Sequence, residues 1–439
     1  MARTVLIIDD EPNILGTVAG VLEDEGYTTL TAASGLEGLD LFESEHPDVV
    51  FLDIWLADRD GLEVLDAMRA KDPSVAVVMM SGHGTVSTAV KAIRMGAYDY
   101  LEKPLSYGQL VESMEGALKH RESVRQDRRP PAEGRRDRLE IEREIVPPAT
   151  LPIVRNGRKH QRTIKRSTVI YGLGLHSGTR TGMVLQPLPP NSGIHFLTLP
   201  AEKVIAAHID RVADTDYATT LSSGGDNIKT VEHLLSALHA AGITNLLIKV
   251  HGEIPVLDGS ALEFCKVIEE AGVEGQRVAR RELVIDREYR VGTDAKSLTL
   301  EPFDGFAISY QLRYPSPIGE QHYDFTLDNF ESYKAEIAPA RTFGFMKDLK
   351  MMAELGLGSG GRLDNFILVG EDNVVNTELR FEDEFVRHKI LDIIGDLYML
   401  GFPIRGKVTA HLTGHRDNIE ILRRIQAENT GDTSQLVEG

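Results

Sequence analysis

Three carboxylates near the start of the chain directly follow apolar runs that predict buried strands. Asp9 and Asp10 come after residues 5–8, and Asp53 comes after residues 49–52. The carboxyl ends of parallel strands meet at one edge of a sheet, so these like charges are expected to share a cleft. Such a cluster is unfavourable unless a cation neutralises it, and an all-oxygen ligand set suits Mg²⁺. The pattern therefore predicts a magnesium site.

A hydroxyl and an ammonium group are expected at the same edge of the sheet. Ser81 follows the apolar run at 75–80, and Lys103, which precedes Pro104, follows the run at 98–101. Both groups suit the binding of a phosphoryl oxygen. A lone Asp-Asp pair is more often a simple exit from a strand, but four such elements in order favour a phosphate-handling site.

A second group of candidate ligands lies in the C-terminal half. His388 and Asp392 are four residues apart in a predicted helix and therefore share a face. Zinc in hydrolases takes three protein ligands and leaves a fourth position for water, and His233, at the start of another predicted helix, is the candidate third ligand. Glu232 precedes it and is expected beside the metal, where a general base belongs.

A further histidine and carboxylate complete this group. His415 follows a predicted strand, and Asp396 lies one turn beyond Asp392. Asp396 is expected to hydrogen-bond His415 and hold it cationic, facing a developing oxyanion or a leaving group. The competing interpretation is structural, because the chain has 14 histidines and an isolated helical histidine is more often an ordinary surface or hydrogen-bonded residue. Spacing alone leaves both interpretations open.

Length and composition indicate two or three globular domains, since the chain has 439 residues, 42% hydrophobic and 26% charged. The net charge of −19 argues against a nucleic-acid partner. A single cysteine, Cys265, cannot form an internal disulfide, which fits a cytoplasmic location. No apolar run reaches the roughly 20 residues of a membrane span, so no integral membrane segment is expected.

The elements that position these side chains change along the chain. Apolar runs alternate with amphipathic helices at 14–25 and 35–43, which predicts an α/β domain with a parallel sheet over residues 1–120. Residues 121–160 hold two Pro-Pro pairs and many arginines among acidic residues. They predict a flexible charged linker with a short helix at 139–145.

The remainder of the chain predicts an α+β domain over residues 161–428 and a disordered tail over 429–439. The elements that indicate this domain are strands at 182–185 and 246–250 and helices at 231–241 and 386–400. Both helices are followed by a glycine, which is a weak sign of two similar halves.

The motifs LIIDDEP, DVVFLDIWL, MMSGHG and YLEKP together resemble the response-regulator receiver family across residues 3–120. The resemblance implies a flavodoxin-like fold with a five-stranded parallel sheet, and phosphorylation of Asp53 by a cognate sensor histidine kinase. It assigns Mg²⁺ to Asp9, Asp10 and Asp53, with the backbone carbonyl of Trp55. It also implies a phosphate-pairing lysine and two switch residues, which are Lys103, Ser81 and Tyr100.

Residues 161–425 resemble the UDP-3-O-acyl-N-acetylglucosamine deacetylases of lipid A synthesis. The matching motifs are QRTIKR, GLGLHSG, TVEHLLSAL, IPVLDGSA, ARTFGF and LRFEDEFVRHKILDIIGDLY followed by TGH. The resemblance implies an α+β fold of two similar subdomains with the active site between them. It assigns zinc to the three candidate ligands, the general base to Glu232, and oxyanion stabilisation or amine protonation to His415, oriented by Asp396.

The same resemblance implies further substrate contacts. Thr342 would donate to the tetrahedral intermediate, Lys389 would meet a substrate phosphate, and Phe343 would lie against the nucleotide or sugar. The chain departs from the family in one loop, where Arg362 replaces the usual serine and Phe366 replaces a small residue. These two side chains are expected to narrow the passage for the fatty-acyl chain.

Together these features predict a zinc-dependent hydrolase that removes the 2-acetamido acetyl group of UDP-3-O-acyl-N-acetylglucosamine, the committed step of lipid A synthesis. Phosphorylation of the fused receiver is expected to regulate it. The alternative is a catalytically weak sensor or binding protein that uses the same fold.

Overall fold

The computed structural model describes residues 3–72, 74–82, 92–93, 95–103, 105–126, 141, 143–199, 201–362 and 365–431. The chain divides into two compact units, Met1–Arg135 and Arg136–Gly439. No helix within these described ranges is both long enough and apolar enough to cross a membrane.

The N-terminal unit is built on a parallel sheet with strand order β2-β1-β3-β4-β5. Alternate residues of the strands β1, β3, β4 and β5 enter two separate hydrophobic clusters, so both faces of the sheet are covered. This arrangement confirms the predicted α/β receiver fold. Its elements are β1 (Thr4–Ile8), α1 (Pro12–Asp24), β2 (Thr28–Ala32), α2 (Gly35–Glu45), β3 (Val49–Asp53), α3 (Gly61–Lys71), β4 (Ala76–Ser81), β5 (Asp99–Glu102) and α4 (Tyr107–Gln126).

The loop after β3 has a steric requirement that bears on the acidic cleft. Asp60 caps α3 by accepting a hydrogen bond from the backbone N–H of Leu62. A Cβ atom at Gly61 would lie 2.1 Å from the carbonyl oxygen of Asp53. Only glycine therefore lets the chain return this close to the end of β3, where Asp53 stands.

The C-terminal unit contains two main layers of sheet and helix, together with smaller sheets. The first sheet has the order β10-β9-β14-β8-β7, and the second runs β16-β17-β22-β15-β6, with β18 pairing both β22 and β19. The smaller sheets are β11-β12-β13 and β20-β21. This mixture of sheets and helices confirms the predicted α+β fold.

The strands of this unit are β6 (Val154–Ile164), β7 (Thr168–Leu173), β8 (Arg180–Pro187), β9 (Ile194–Thr198), β10 (Val204–Ala206), β11 (Val212–Asp214), β12 (Thr220–Ser223), β13 (Asp226–Ile228), β14 (Leu246–Val250), β15 (Val273–Val284), β16 (Tyr289–Gly292), β17 (Ser297–Glu301), β18 (Phe306–Arg313), β19 (Glu320–Thr326), β20 (Phe343–Phe345), β21 (Ile367–Val369) and β22 (Ile404–His411). The helices are α5 (Glu232–Ala241), α6 (Leu262–Ala271), α7 (Phe330–Glu336), α8 (Leu349–Glu354), α9 (Glu384–Asp396) and α10 (His415–Thr430).

Helices α5 and α9 pack directly against each other. A Cβ atom at Gly395, in α9, would lie 2.0 Å from the carbonyl oxygen of Glu232, the first residue of α5. Two turns further along α5, Nδ1 of His239 donates to the carbonyl oxygen of Ile394 at 3.0 Å. The two helices that carry the candidate ligands are therefore held at close range by backbone contacts.

The structure corrects the expected boundaries of the linker at 121–160. Helix α4 extends to Gln126, and β6 already begins at Val154. Ile141 is buried against Leu188, Leu197 and Leu247. The charged composition hid these few apolar residues, which are covered by the C-terminal unit.

Other parts of these predictions fall on residues outside the described ranges. Ile141, Arg143 and Glu144 are helical, as the expected short helix requires, but 127–140 and 142 are not described. Of the expected tail at 429–439, residues up to Thr430 belong to α10, and 432–439 are not described.

Two buried histidines predict that this unit loses stability in acid. Burial lowers the pKa of His195, in β9, and of His239 from 6.5 to about 4. Below pH 6.5 these histidines bind protons in the unfolded chain but remain neutral in the folded chain. The free energy of unfolding therefore falls until the pH drops below about 4. Each histidine should remove about 3 kcal/mol of unfolding free energy across that window.

The measurement is urea unfolding of the full chain at several pH values, followed by circular dichroism. Substitution His195→Leu should reduce the pH slope by about 1.4 kcal/mol per pH unit. An unchanged slope in this variant would show that His195 does not contribute.

Candidate metal and catalytic sites

An acidic cluster forms at the carboxyl edge of the N-terminal sheet. Asp9, Asp10 and Asp53 each offer an oxygen, and the three oxygens lie within 4.8 Å of one another. Asp9 and Asp53 are buried, whereas Asp10 is exposed. Burial raises the pKa of Asp53 to about 6, an effect that Lys103 opposes and the charge of Asp9 reinforces. The donor set and its crowded negative charge fit a divalent cation with oxygen ligands.

Lys103 reaches into this cluster from the residue after β5. Its Nζ lies 2.8 Å from Asp9 Oδ2 and 3.2 Å from Asp53 Oδ1. Burial alone would lower the pKa of Lys103, but hydrogen bonds to Asp9 and Glu11 and the charge of Asp53 raise it. The ammonium group is therefore fixed beside Asp53 in its charged form.

The other predicted receiver residues surround the same edge. Ser81 is buried and lies one residue beyond Met80, the partner of Asp53 in the neighbouring strand. The backbone N–H of Trp55 donates to Asp53 Oδ2 at 3.2 Å, while 60% of the Trp55 residue is exposed. Tyr100 packs against the core, and its buried hydroxyl has no hydrogen-bond partner within the described part of the chain.

In the C-terminal unit, His233 on α5 meets His388 and Asp392 on α9. One ligand atom from each residue lies within 4.8 Å of the others, and all three residues are buried. Asp392 Oδ1 is 3.7 Å from His233 Nε2 and 3.5 Å from His388 Nε2. The structure thus brings three candidate ligands together. In the sequence, His233 lies 155 residues before His388, and His388 lies 4 residues before Asp392.

Their protonation states suit a metal centre. Nδ1 of His388 donates to the carbonyl oxygen of Ala340 at 3.0 Å, which leaves Nε2 with a free lone pair. Burial lowers the pKa of both histidines, that of His233 to about 3. Burial alone would raise the pKa of Asp392, but the charge of Lys389 lowers it.

An unpaired atom points to the same conclusion. Asp392 Oδ1 is buried and has no hydrogen-bond donor among the described residues. Buried polar atoms of folded proteins almost always have a partner. Two neutral imidazoles and one carboxylate facing each other fit a divalent ion such as zinc, which such sites bind with an open coordination position.

Glu232 and His415 flank this group. Glu232 is buried, its Oε2 accepts a hydrogen bond from the backbone N–H of Thr219 at 3.1 Å, and burial raises its pKa to about 8. Nδ1 of His415 donates to Asp396 Oδ2 at 2.7 Å. Burial alone would lower the pKa of His415, but the charges of Asp396 and Asp392 raise it to about 9. A carboxyl group with a raised pKa and a cationic imidazole therefore lie beside the candidate ligands, with His415 Nε2 3.9 Å from Asp392 Oδ2.

Three other predicted residues lie nearby. Nζ of Lys389 donates to Asp392 Oδ2 at 2.7 Å, so the lysine is turned toward the ligand carboxylate. The ring centroid of Phe343 is 6.1 Å from that of His388. Thr342 is half-buried, directly before Phe343, and its backbone N–H donates to Gly259.

Arg362 does not join the group. Its side chain is exposed and Nη1 donates to the carbonyl oxygens of Ser359 and Gly361, at 3.1 and 3.2 Å. Phe366 is half-buried beside Gly361. The arginine therefore folds back on its own loop, and only the phenylalanine remains a candidate for narrowing an acyl passage.

A buried ion pair holds the start of α9. The spacing of its two residues in the sequence did not indicate it. Glu384 is fully buried and accepts from Nε of Arg341 at 2.9 Å and from its backbone N–H at 3.0 Å. Arg341 immediately precedes Thr342, so the pair links the segment of Thr342 and Phe343 to the helix of His388. Arg341 belongs to the motif ARTFGF and Glu384 to the motif LRFEDEFVRHKILDIIGDLY, but nothing in their spacing indicated that the two side chains are in contact.

Substitution Glu384→Ala is expected to lower the free energy of unfolding by about 3–5 kcal/mol, because it leaves a buried guanidinium unpaired. Urea unfolding would measure this, with Glu320→Ala as control, since its pair with Arg313 is exposed. The double substitution Arg341→Met with Glu384→Leu should recover much of the loss. A loss below about 1 kcal/mol in Glu384→Ala would contradict a structural role for the pair.

Comparisons with known proteins give a match for each of the two parts of the chain. A family model for UDP-3-O-acyl N-acetylglycosamine deacetylase matches residues 161–427, and one for the response regulator receiver domain matches residues 5–115. A deacetylase of this name from an Anaeromyxobacter species is 40% identical over 272 residues, covering 61% of this chain and 89% of the relative. One from Thermodesulfovibrio yellowstonii is 41% identical over 267 residues, covering 60% and 91%.

Among solved structures, the receiver domain of NtrX from Brucella abortus is 46% identical and covers 26% of this chain and 98% of that one, with a TM-score of 0.26. A CheY-like receiver from Methanospirillum hungatei is 31% identical and covers 28% and 99%, with a TM-score of 0.28. The C-terminal match spans more than half of the chain and nearly the full length of its relatives. The chain therefore belongs to the UDP-3-O-acyl-N-acetylglucosamine deacetylase family and carries a response-regulator receiver domain ahead of it.

Proposed function

We propose that the protein is a zinc-dependent hydrolase that removes acetate from the 2-acetamido group of UDP-3-O-acyl-N-acetylglucosamine, the committed step of lipid A synthesis. The observation that carries this proposal is the convergence of His233, His388 and Asp392, with Glu232 and His415 beside them. The deacetylase names of the relatives supply the substrate.

The ligand residues would hold the metal with neutral imidazoles and an ionised carboxylate. When bound, a zinc ion supplies Lewis acidity that polarises a carbonyl group and acidifies a water molecule. Nδ1 of His388 remains tied to the carbonyl of Ala340, so the ring keeps its orientation. Lys389, next to Asp392, carries the positive charge that suits a substrate phosphate.

Glu232 acts as the general base in this proposal. It takes a proton from the attacking water, whose oxygen bonds to the acetamide carbonyl carbon. The hydrogen bond from Thr219 fixes one carboxylate oxygen, which leaves the other for the water. A raised pKa improves the strength of the base.

His415 serves the opposite side of the reaction. Asp396 keeps it protonated, so it can donate to the developing oxyanion or to the amine nitrogen as the C–N bond breaks. In this proposal Thr342 donates to the same oxyanion, and Phe343 contacts the sugar or nucleotide. The products are acetate and a free amine.

The test is acetate release by the purified full chain from UDP-3-O-acyl-N-acetylglucosamine of several acyl lengths. Elemental analysis of the same sample identifies the metal, because two histidines and a carboxylate also suit iron. Zinc binding without acetate release would contradict the proposal and favour the sensor alternative. Unchanged rates across all acyl lengths would remove the proposed role of Phe366 in the passage.

We further propose that a sensor histidine kinase phosphorylates Asp53, with Mg²⁺ held by Asp9, Asp10, Asp53 and the carbonyl of Trp55. The added charge would draw Ser81 and Lys103 to the phosphoryl group and let Tyr100 turn inward. Strand β5 and helix α4, which lead on to the C-terminal unit, would repack. The fusion would thereby couple phosphorylation to deacetylation or to self-association.

Acetyl phosphate with Mg²⁺ is therefore expected to change the fluorescence of Trp55, the only tryptophan, because its backbone contacts Asp53. Turnover or sedimentation should change in the same sample. The variant Asp53→Asn should show neither response, whereas Asp66→Asn, at an exposed position of α3, should behave as wild type. A phosphorylated wild type with unaltered turnover and sedimentation would exclude regulation by the receiver.

A further inference from the structure

The C-terminal unit contains a cavity whose lining includes none of the candidate metal ligands. Its volume is about 330 Å³, and it is bounded by the ends of β6, β15, β18 and β22 and by the last turns of α5. This size is at the lower end of the range for sites that bind small organic molecules.

The cavity is rich in cationic side chains. Arg158, Lys159, Arg280 and Arg405 line it, against three acidic residues, Glu282, Asp304 and Asp328. This gives it a positive balance (4 − 3 = +1) in a chain of net charge −19. Such a balance favours a small anion.

Two of the guanidinium groups are held in place by carboxylates. Arg280 donates to Glu282 at 2.6 Å, and Arg405 donates to Asp304. Each pairing leaves other N–H groups of the guanidinium free to bind. Nε of Arg280 is buried and has no acceptor within the described part of the chain. Buried donors normally have a partner, so the guanidinium of Arg280 keeps hydrogen-bonding capacity that the described protein atoms leave unused.

One wall comes from residues ahead of the deacetylase match. Asn156, Gly157, Arg158 and Lys159 belong to the part of β6 that precedes the matched range 161–427. This part pairs with β15, Asn156 opposite Arg281. The carboxyl group of Glu282 lies against Gly157, 2.5 Å from where a Cβ atom would stand. The added strand therefore completes the cavity.

One side of the cavity adjoins α5 and α9, the helices that carry the candidate metal ligands. His239 lines the cavity, stacks on Tyr398 with ring centroids 4.6 Å apart, and donates to the carbonyl of Ile394. Ile394 is two residues beyond Asp392 on α9. A molecule in the cavity would thus contact the seam between α5 and α9.

We propose that this cavity binds a small phosphate-bearing anion, with Arg158, Arg280 and Arg405 as its phosphate ligands. Guanidinium groups bind phosphate through paired, charge-assisted hydrogen bonds. The site is independent of the proposed reaction, because none of its lining residues is a candidate ligand, base or acid.

The test is calorimetric titration of the full chain, without Mg²⁺, with glucose 6-phosphate, inorganic phosphate, citrate and glucose. One equivalent of glucose 6-phosphate should bind per chain, and glucose should not. Equal affinity for inorganic phosphate would identify free phosphate as the ligand, and tighter binding of glucose 6-phosphate would identify an ester. No binding of either up to about 10 mM, or tighter binding of citrate, would overturn the proposal.

Variants locate the site. Arg280→Gln and Arg158→Glu should each weaken binding by about tenfold or more, because each removes a charge-assisted hydrogen bond. Arg313→Ala, an exposed position outside the cavity, and Lys389→Ala, in the metal group, should leave binding unchanged. Arg158 is exposed, so its substitution remains informative if Arg280→Gln fails to fold. Binding that depends on Lys389 and not on Arg158 would place the anion in the catalytic group and overturn the proposal.

Discussion

Substitution His388→Ala is expected to remove the bound metal and reduce acetate release to the background of the metal-free protein. His388 supplies one of three buried ligand atoms, and two ligands cannot hold the ion against water as three do. The loss should appear in elemental analysis as well as in turnover. Asp392→Ala should have the same effect, with an added loss of stability because it leaves the half-buried ammonium of Lys389 without its counter-charge.

The matched control is His322→Ala, which removes an exposed histidine that pairs with Asp324 in β19. It should keep the full metal content and rate. Circular dichroism must show that His388→Ala remains folded, since its contact with Ala340 is also lost. Full metal occupancy with an unchanged rate in His388→Ala would show that the ion is bound elsewhere.

Substitution Glu232→Gln is expected to keep the metal and lower turnover by about 10²–10⁴-fold, the usual contribution of a general base. Glutamine has nearly the same shape and can still accept the hydrogen bond from Thr219, but it cannot take a proton. The result separates proton transfer from metal binding because only the first is removed. Metal content and acetate release from the same preparation provide both measurements.

Glu331→Gln is the control for this substitution, since Glu331 is an exposed residue of α7. A Glu232→Gln enzyme that retained more than about half of its activity across the pH range would place the base elsewhere. His415 would then be the next residue to substitute, because its Nε2 lies 3.9 Å from Asp392 Oδ2.

Local sequence patterns predicted the N-terminal fold well because its strands are short, buried and regularly interrupted by helices. The acidic edge followed from the same pattern, since parallel strands must end together. The strand that begins at Val154 escaped notice because charged residues surround its few apolar positions. The pairing of Arg341 with Glu384 joins residues that are distant in sequence, and neither periodicity nor composition reports such a contact.

The candidate metal ligands of the C-terminal unit were likewise predictable from the sequence only in part. The four-residue spacing of His388 and Asp392 indicated a shared helix face, whereas the spacing left open whether His233 would join them. The direction of the Arg362 side chain could not be read from its type, because the carbonyl groups that bind it belong to the turn of its own loop.

The close approach of α9 to α5 at Gly395 affects whether a divergent member of the family can be expected to be an active enzyme. Glu232 and the metal ligands come from two helices whose separation depends on one position that has no side chain. A relative that retained every ligand but carried alanine there would have its two helices pushed apart and its base drawn away from the ligands. A list of conserved ligands would classify that relative as an enzyme, whereas inspection of this one glycine would classify it as a binding protein.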